Sequence, residues 1–168
     1  MDQTECKAYF LAAYDAYADE LYRFCFMKVS NREKAEDLVQ DTFTRFWQVL
    51  RDGTAPENPR AFLYTLARNR VIDWYRKKKE SSLDVLQEAG IDFADAGIDD
   101  IVENAEMTRL MAVINELDEP SRDVLLLRFM EGWTPQEIAD LNGESANAVS
   151  VRLNRALSKV RTKIHANE

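Results

Sequence analysis

Amide, hydroxyl and basic side chains alternate along residues 145–163, near the C-terminus. This stretch contains five basic residues and no acidic one. Amides and hydroxyls can hydrogen-bond to base edges, whereas lysine and arginine bind backbone phosphates, so the chemistry expected here is non-covalent recognition of a DNA duplex. The candidate base-facing residues are Asn147, Ser150, Val151 and Asn154. The candidate phosphate contacts are Arg152, Arg155 and Lys159, and Arg155 is long enough to reach a guanine edge instead.

Helix start and stop signals position this stretch. Thr134 and Glu137 have the spacing of a capping box, with Pro135 at the first helical position, and Gly143 suits a left-handed helix end. Ser145 can cap a second helix, whose apolar face is Val149, Leu153, Leu157, Val160 and Ile164. The pattern predicts a helix-turn-helix that lays its second helix in the major groove. The alternative is a surface helix hairpin of an all-helical protein.

A second candidate surface lies on a helix beginning near Arg60, where basic residues alternate with aromatic ones. Cations that meet phosphates, beside rings that stack on bases, are typical of binding to exposed single strands. The candidate residues are Asn69, Arg70, Trp74, Tyr75, Arg76 and Lys77. A cationic run such as residues 76–79 also complements a helix dipole, and Trp74 could pack against its own domain instead.

The residue inventory argues against an enzyme. His165 is the only histidine, and Cys6 and Cys25 have neither disulfide-framework nor metal-ligand spacing. No nucleophile–histidine pair, metal cluster or phosphate-cradling glycine loop can be assembled. We therefore expect no catalytic residue, no metal and no cofactor, and we expect Cys25 to be a small core side chain.

The net charge of −8 is concentrated in one segment of the chain. Residues 80–103 contain eight acidic residues and no basic one, so the parts on either side are close to neutral. This composition predicts a flexible acidic linker. No apolar run approaches the length of a membrane span, and the acidic N-terminus does not resemble a signal peptide. We expect a cytoplasmic protein without membrane insertion.

Helical periodicity without any strand pattern predicts an all-α chain of two small domains, residues 1–79 and 104–168. The first helix is expected over residues 7–28, with an apolar stripe of Phe10, Ala13 or Tyr14, Tyr17, Leu21, Phe24 and Cys25. A second helix follows the break at Ser30 and Asn31. Its outer strip is wholly polar: Asp37, Gln40, Asp41, Thr44 and Gln48. By periodicity alone that strip is an ordinary solvated face.

The order of these motifs resembles the sigma-70 family of bacterial RNA polymerase sigma factors. The segments similar to region two of that family are residues 35–43, 59–69 and 73–77, and those similar to region four are residues 117–127 and 131–156. No further domain separates the two regions, which is similar to the small extracytoplasmic-function (ECF) group.

The resemblance implies a dissociable polymerase subunit that directs transcription initiation. The first domain would bind the polymerase clamp helices through Asp37, Gln40, Asp41 and Thr44. It would also recognise and melt the minus-ten element, capturing a flipped non-template base near the loop at residues 53–59. The second domain would bind the polymerase flap and read the minus-thirty-five element. The linker would follow the RNA exit path, where its carboxylates could mimic RNA, and an anti-sigma factor is an expected partner.

Two departures from the family pattern bear on which bases are read. The family's recognition helix often starts with Pro-x-Gly-Thr-Val and a basic residue, where this chain has residues 145–150, Ser-Ala-Asn-Ala-Val-Ser. Asn142 and Glu144 replace residues that are usually apolar. The alternative function is that of a two-domain helix-turn-helix regulator that binds operators without polymerase. Whether promoter binding requires core polymerase distinguishes the two functions.

Overall fold

The computed structural model describes residues 2–81 and 105–166, and all regular structure in those ranges is helical. The first lobe contains α1 (Gln3–Val29), α2 (Arg32–Arg51) and α3 (Pro59–Ser81). The second contains α4 (Ala105–Asn115), α5 (Glu119–Leu125), a π-helical turn (Leu126–Met130), α6 (Pro135–Asn142) and α7 (Ala146–Ala166). The prediction of an all-helical chain with two compact units is confirmed.

Helix boundaries in the first lobe follow local capping chemistry. The first helix begins four residues earlier than predicted because Asp2 and Glu5 form a capping box. It ends at Ser30, which adopts a left-handed φ of 49°, and the Asn31 side chain accepts the Lys34 N–H at 2.9 Å to start α2. At the other end of the lobe, α3 extends through residues 80–81, where the acidic composition predicts the linker, because neither glycine nor proline interrupts the helix there. The rest of the predicted linker lies outside the described residues.

The core of the first lobe forms where each of its three helices packs against the other two. Its fully buried side chains include Leu21, Cys25, Phe46, Leu50 and Leu63. The predicted stripe of α1 is buried at Leu21, Phe24 and Cys25, whereas Phe10 and Tyr17 are half-buried. Between the two alternatives left open by periodicity, Ala13 is buried and Tyr14 is exposed.

The second lobe is built around α7, against which α4, α5 and α6 pack. The buried face of α7 consists of Val149, Leu153, Ala156 and Val160, so the predicted face is correct although Leu157 and Ile164 are only half-buried. The turn after α5 is π-helical, and Phe129 on it is 62% exposed. None of the helices in the part of the chain that the structure describes is long and apolar enough to cross a membrane.

Candidate nucleic-acid interface

The helix-turn-helix forms through the caps that the sequence predicts. The Thr134 hydroxyl accepts the Glu137 N–H at 3.2 Å, and the Thr134 N–H donates to the Glu137 carboxylate at 2.7 Å. Gly143 ends α6 with a φ of 67°, a conformation that favours glycine. The Ser145 hydroxyl then accepts the Ala148 N–H at 3.1 Å, so α7 begins one residue later, at Ala146.

The predicted base-facing side chains share the outward face of α7. Asn147, Val151 and Asn154 are exposed and Ser150 is half-buried, whereas Val149 is completely buried on the opposite side. Asn147 and Asn154 are two turns apart and therefore separated by about 10.5 Å along the helix axis. The two amides thus lie on the same face of α7, two turns apart, with the apolar Val151 between them. That combination suits base edges and a thymine methyl group.

Arg152 is already engaged within the lobe. Its guanidinium donates to both oxygens of Glu144, at 2.6 and 2.9 Å, and this hydrogen bonding raises the pKa of Arg152. The Asn142 amide donates to the same carboxylate at 2.9 Å. The two polar residues at which the chain departs from the family pattern therefore satisfy each other and Arg152. Sequence reasoning missed this network because Glu144 and Arg152 lie on either side of a turn, outside ordinary helical pair spacing.

The other two flanking cations of α7 are held less tightly than Arg152. Lys159 lies 3.4 Å from Asp118, and both side chains are more than half exposed. The Ser121 hydroxyl, which donates to Asp118 at 2.9 Å, lowers the pKa of that carboxyl, and Lys159 adds to the effect. Within the described ranges Arg155 forms no ion pair. These side chains and Arg152 line a shallow cleft of about 470 Å³ between the start of α5 and α7.

The candidate single-strand surface on α3 is largely exposed. Asn69, Tyr75, Arg76 and Lys77 are exposed, and Arg70 and Trp74 are half-buried. The aromatic residue with a hydrogen bond to another helix is Tyr75 rather than Trp74: the Tyr75 hydroxyl donates to the Lys28 carbonyl near the end of α1. The Trp74 ring lies edge-to-face with Tyr75 at 4.9 Å, and the Lys78 ammonium lies 5.0 Å from its centre.

The start of α3 is fixed against α1 by a bidentate ion pair. The Arg60 guanidinium donates to both oxygens of Glu20, at 2.8 and 3.0 Å, and the Asn58 side chain caps the helix by accepting the Ala61 N–H at 3.0 Å. Nothing in the local sequence pattern links residues 20 and 60. This pair and the Tyr75 hydroxyl hold α3 against α1 at two separated points.

The polar strip of α2 lies beside exposed apolar residues of α1. Asp37, Gln40, Asp41 and Thr44 are all exposed, as predicted. The neighbouring Tyr14 is 46% exposed, and its ring lies 4.8 Å from that of Phe43 on α2. Leu11, one turn before Tyr14, is similarly exposed. The carboxylates, the amide and these apolar groups are therefore all accessible to a partner protein.

Comparisons with known proteins match both lobes in order. Residues 13–81 match Sigma-70 region 2, and residues 107–160 match Sigma-70, region 4. The RNA polymerase sigma factor SigV of Bacillus subtilis is 28% identical over 158 residues, which cover 94% of this chain and 92% of SigV. The ECF RNA polymerase sigma factor SigL of Mycobacterium tuberculosis is 30% identical over 155 residues, which cover 89% of this chain and 85% of SigL.

The same fold occurs in a solved sigma factor complex. RpoE from Bartonella quintana, solved in complex with the anti-sigma factor NepR, matches with a TM-score of 0.72 and 22% identity over 95% of this chain and 98% of that one. Both regions are therefore present in the family's order, on the expected helical lobes. The chain belongs to the ECF group of the sigma-70 family of RNA polymerase sigma factors.

Proposed function

We propose that this ECF sigma factor binds core RNA polymerase with its first lobe, melts the minus-ten element with α3 and reads the minus-thirty-five element with α7. The observation that carries the proposal is the outward face of α7, where Asn147, Val151 and Asn154 lie clear of the core. The chain acts as a specificity subunit in the cytoplasm and is not itself an enzyme. Family membership favours this role over that of a helix-turn-helix regulator that works without polymerase.

On the minus-thirty-five element, Asn147, Ser150, Val151 and Asn154 face the groove. An amide that bonds a base edge distinguishes bases by about 1–3 kcal/mol, whereas a phosphate contact contributes affinity without sequence information. Lys159 supplies such a phosphate contact, because an ion pair as exposed as the one with Asp118 stabilises by at most about 1 kcal/mol. Arg155 supplies another. A DNA phosphate can therefore replace the Asp118 carboxylate as the partner of Lys159 with little loss of stability.

On the minus-ten element, α3 provides cations and rings for an opened strand. Arg76 and Lys77 contact phosphates, with Asn69 and Arg70 about two turns earlier on the helix. The Trp74 ring offers a stacking surface, and the Lys78 ammonium near it would add positive charge beside a bound base. Tyr75 contributes mainly by holding the helix in place through its bond to Lys28.

Two protein partners, core RNA polymerase and an anti-sigma factor, follow from this role. The strip of Asp37, Gln40, Asp41 and Thr44 contacts the polymerase clamp helices, and the second lobe contacts the flap. An anti-sigma factor is a further partner. The RpoE structure that shares this fold contains such a factor, and the exposed apolar groups beside the α2 strip give a partner protein surface to bury.

Capture of core polymerase by the full chain tests the proposed contact on α2. Asp41→Lys combined with Gln40→Ala should weaken capture by at least tenfold, which corresponds to about 1.4 kcal/mol, because it removes an amide and reverses a charge inside the contact. Asp19→Lys makes the same charge change at an exposed position of α1 and should leave capture unchanged. Helix content serves as the folding control. Undiminished capture by the double variant would show that the strip is an ordinary solvated face and not a polymerase contact.

A further inference from the structure

The Glu144–Arg152 pair is less exposed than the other ion pairs of α7 and is joined by two hydrogen bonds. Glu144 and Arg152 side chains are 20% and 31% exposed, and two parallel hydrogen bonds join them. The Asn142 amide holds the carboxylate from a third direction. Bidentate arginine–carboxylate pairs are among the strongest hydrogen-bonded ion pairs in proteins, and partial burial protects this one from screening by salt.

The Lys159–Asp118 pair provides the contrast within the same cleft. Its exposures are 58% and 53%, and a single contact of 3.4 Å joins the two groups. A phosphate that approaches Lys159 displaces a weak, hydrated partner. A phosphate that approaches Arg152 must instead break both hydrogen bonds of a bidentate, partly buried ion pair.

We propose that Glu144 is a positioning residue that keeps Arg152 away from the DNA backbone. Arg152 then supports the turn between α6 and α7, and Arg155 is the principal arginine contact to phosphate on this flank. The proposal rests on the proposed function of α7 in minus-thirty-five binding. Arg152 is then not the phosphate contact that its charge suggests, and Glu144 limits how tightly the second lobe binds promoter DNA.

Counterion release gives the proposal a measurable signature. Each phosphate neutralised by a protein cation makes the slope of log K against log salt more negative by about 0.9. An arginine paired to an internal carboxylate contributes nothing to that slope. Because Arg152 lines the same cleft as Arg155 and Lys159, a released Arg152 lies beside the phosphates that those two contact.

The test measures binding of the holoenzyme, assembled from the full chain and core polymerase, to matched and scrambled minus-thirty-five duplexes across a range of salt. Glu144→Gln keeps the shape of the side chain but removes its charge. It should steepen the slope by about 0.9, so that the fall in affinity between 50 and 200 mM salt grows about 3.5-fold. The gain at low salt should be equal for matched and scrambled DNA, because a phosphate contact carries no sequence information.

Two further variants separate release of Arg152 from simple loss of a negative charge. In Glu144→Gln with Arg152→Gln the net charge is that of the wild type, and the slope should return to the wild-type value. Glu116→Gln removes one carboxylate from the same lobe, at a pair with Lys163 eleven residues beyond Arg152, and should change the slope much less. Arg155→Gln should make the slope shallower by about 0.9. Thermal unfolding of each variant identifies any loss of fold.

Three results would overturn the proposal. These are an unchanged slope in Glu144→Gln, a gain that persists in the double variant, and a loss in the double variant as large as that of Arg155→Gln. If the wild-type holoenzyme itself does not prefer matched over scrambled DNA, the proposed function of α7 fails instead. The two failures are therefore distinguishable in one data set.

Discussion

Replacing Arg60 with alanine should destabilise the first lobe far more than removing an exposed arginine does. Arg60 and Glu20 are 23% and 14% exposed, and two bonds of 2.8 and 3.0 Å join them. Without Arg60 the Glu20 carboxylate stays largely buried with its main cation gone. Because this pair fixes the start of α3 to α1, the same change should loosen the helix that carries the candidate minus-ten residues.

The expected loss lies between two reference cases. Removing one partner of a fully buried pair costs about 3–5 kcal/mol, whereas exposed pairs contribute about 0.2–1 kcal/mol. For a mostly buried bidentate pair we take about 2 kcal/mol. In a domain of this size that corresponds to a fall in melting temperature of about 8–16 °C.

Urea unfolding followed by hydrogen exchange on peptides from α1, α2 and α3 measures the first lobe by itself. The matched control is Arg32→Ala, which removes an exposed pair with Glu36 and should cost about 0.5 kcal/mol or less. A double-mutant cycle with Glu20→Gln separates the pair from the packing of the Arg60 stem. Equal losses from Arg60→Ala and Arg32→Ala would refute the reasoning, as would a loss confined to the second lobe.

Three further outcomes are expected. Alanine at Arg76 and Lys77 should slow open-complex formation at least tenfold on duplex promoters and much less on a pre-melted bubble, and equal defects would argue against melting. Selection from a randomised minus-thirty-five library should show Asn154→Ala losing preference at one or two positions, by about 1–3 kcal/mol, whereas Lys159→Ala weakens all sequences alike. Burial raises the pKa of Cys25 to about 12, so at pH 8 its thiol should resist iodoacetamide until the first lobe unfolds, as mass spectrometry would detect.

Features that depend on neighbouring residues could be predicted from the sequence. The caps at Thr134 and Ser145 and the buried face of α7 follow from spacings of three or four residues, and all are present. The start of α1 at Gln3 could also be predicted, because Asp2 and Glu5 have the same spacing as the capping box in α6.

Contacts between distant parts of the chain could not be predicted in this way. Glu20 pairs with Arg60 across forty residues, and Tyr75 bonds the Lys28 carbonyl across forty-seven. Helical periodicity indicates which face of each helix is buried but not which side chains meet across the interface. The engagement of Arg152 by Glu144 likewise depends on the angle at which the turn sets α7, so a residue expected to bind phosphate has an internal partner.

The role of Trp74 shows a finer limit of sequence reasoning. Periodicity places Trp74 and Tyr75 at adjacent positions and cannot tell which of them is anchored to the lobe. The structure anchors Tyr75 through its hydroxyl and leaves Trp74 half-buried beside Lys78. The hydrogen bond from the Tyr75 hydroxyl to the Lys28 carbonyl, rather than the size of either ring, distinguishes the two residues.

Promoter binding by the full chain with and without core polymerase tests the central claim most directly. A duplex that contains selected minus-ten and minus-thirty-five elements is titrated with the chain alone, with core polymerase alone and with both. If the chain is a polymerase specificity subunit, sequence-specific binding and strand opening should appear only when both are present. Equally tight, sequence-specific binding by the chain alone, unaffected by core polymerase, would contradict the account and identify an independent helix-turn-helix regulator.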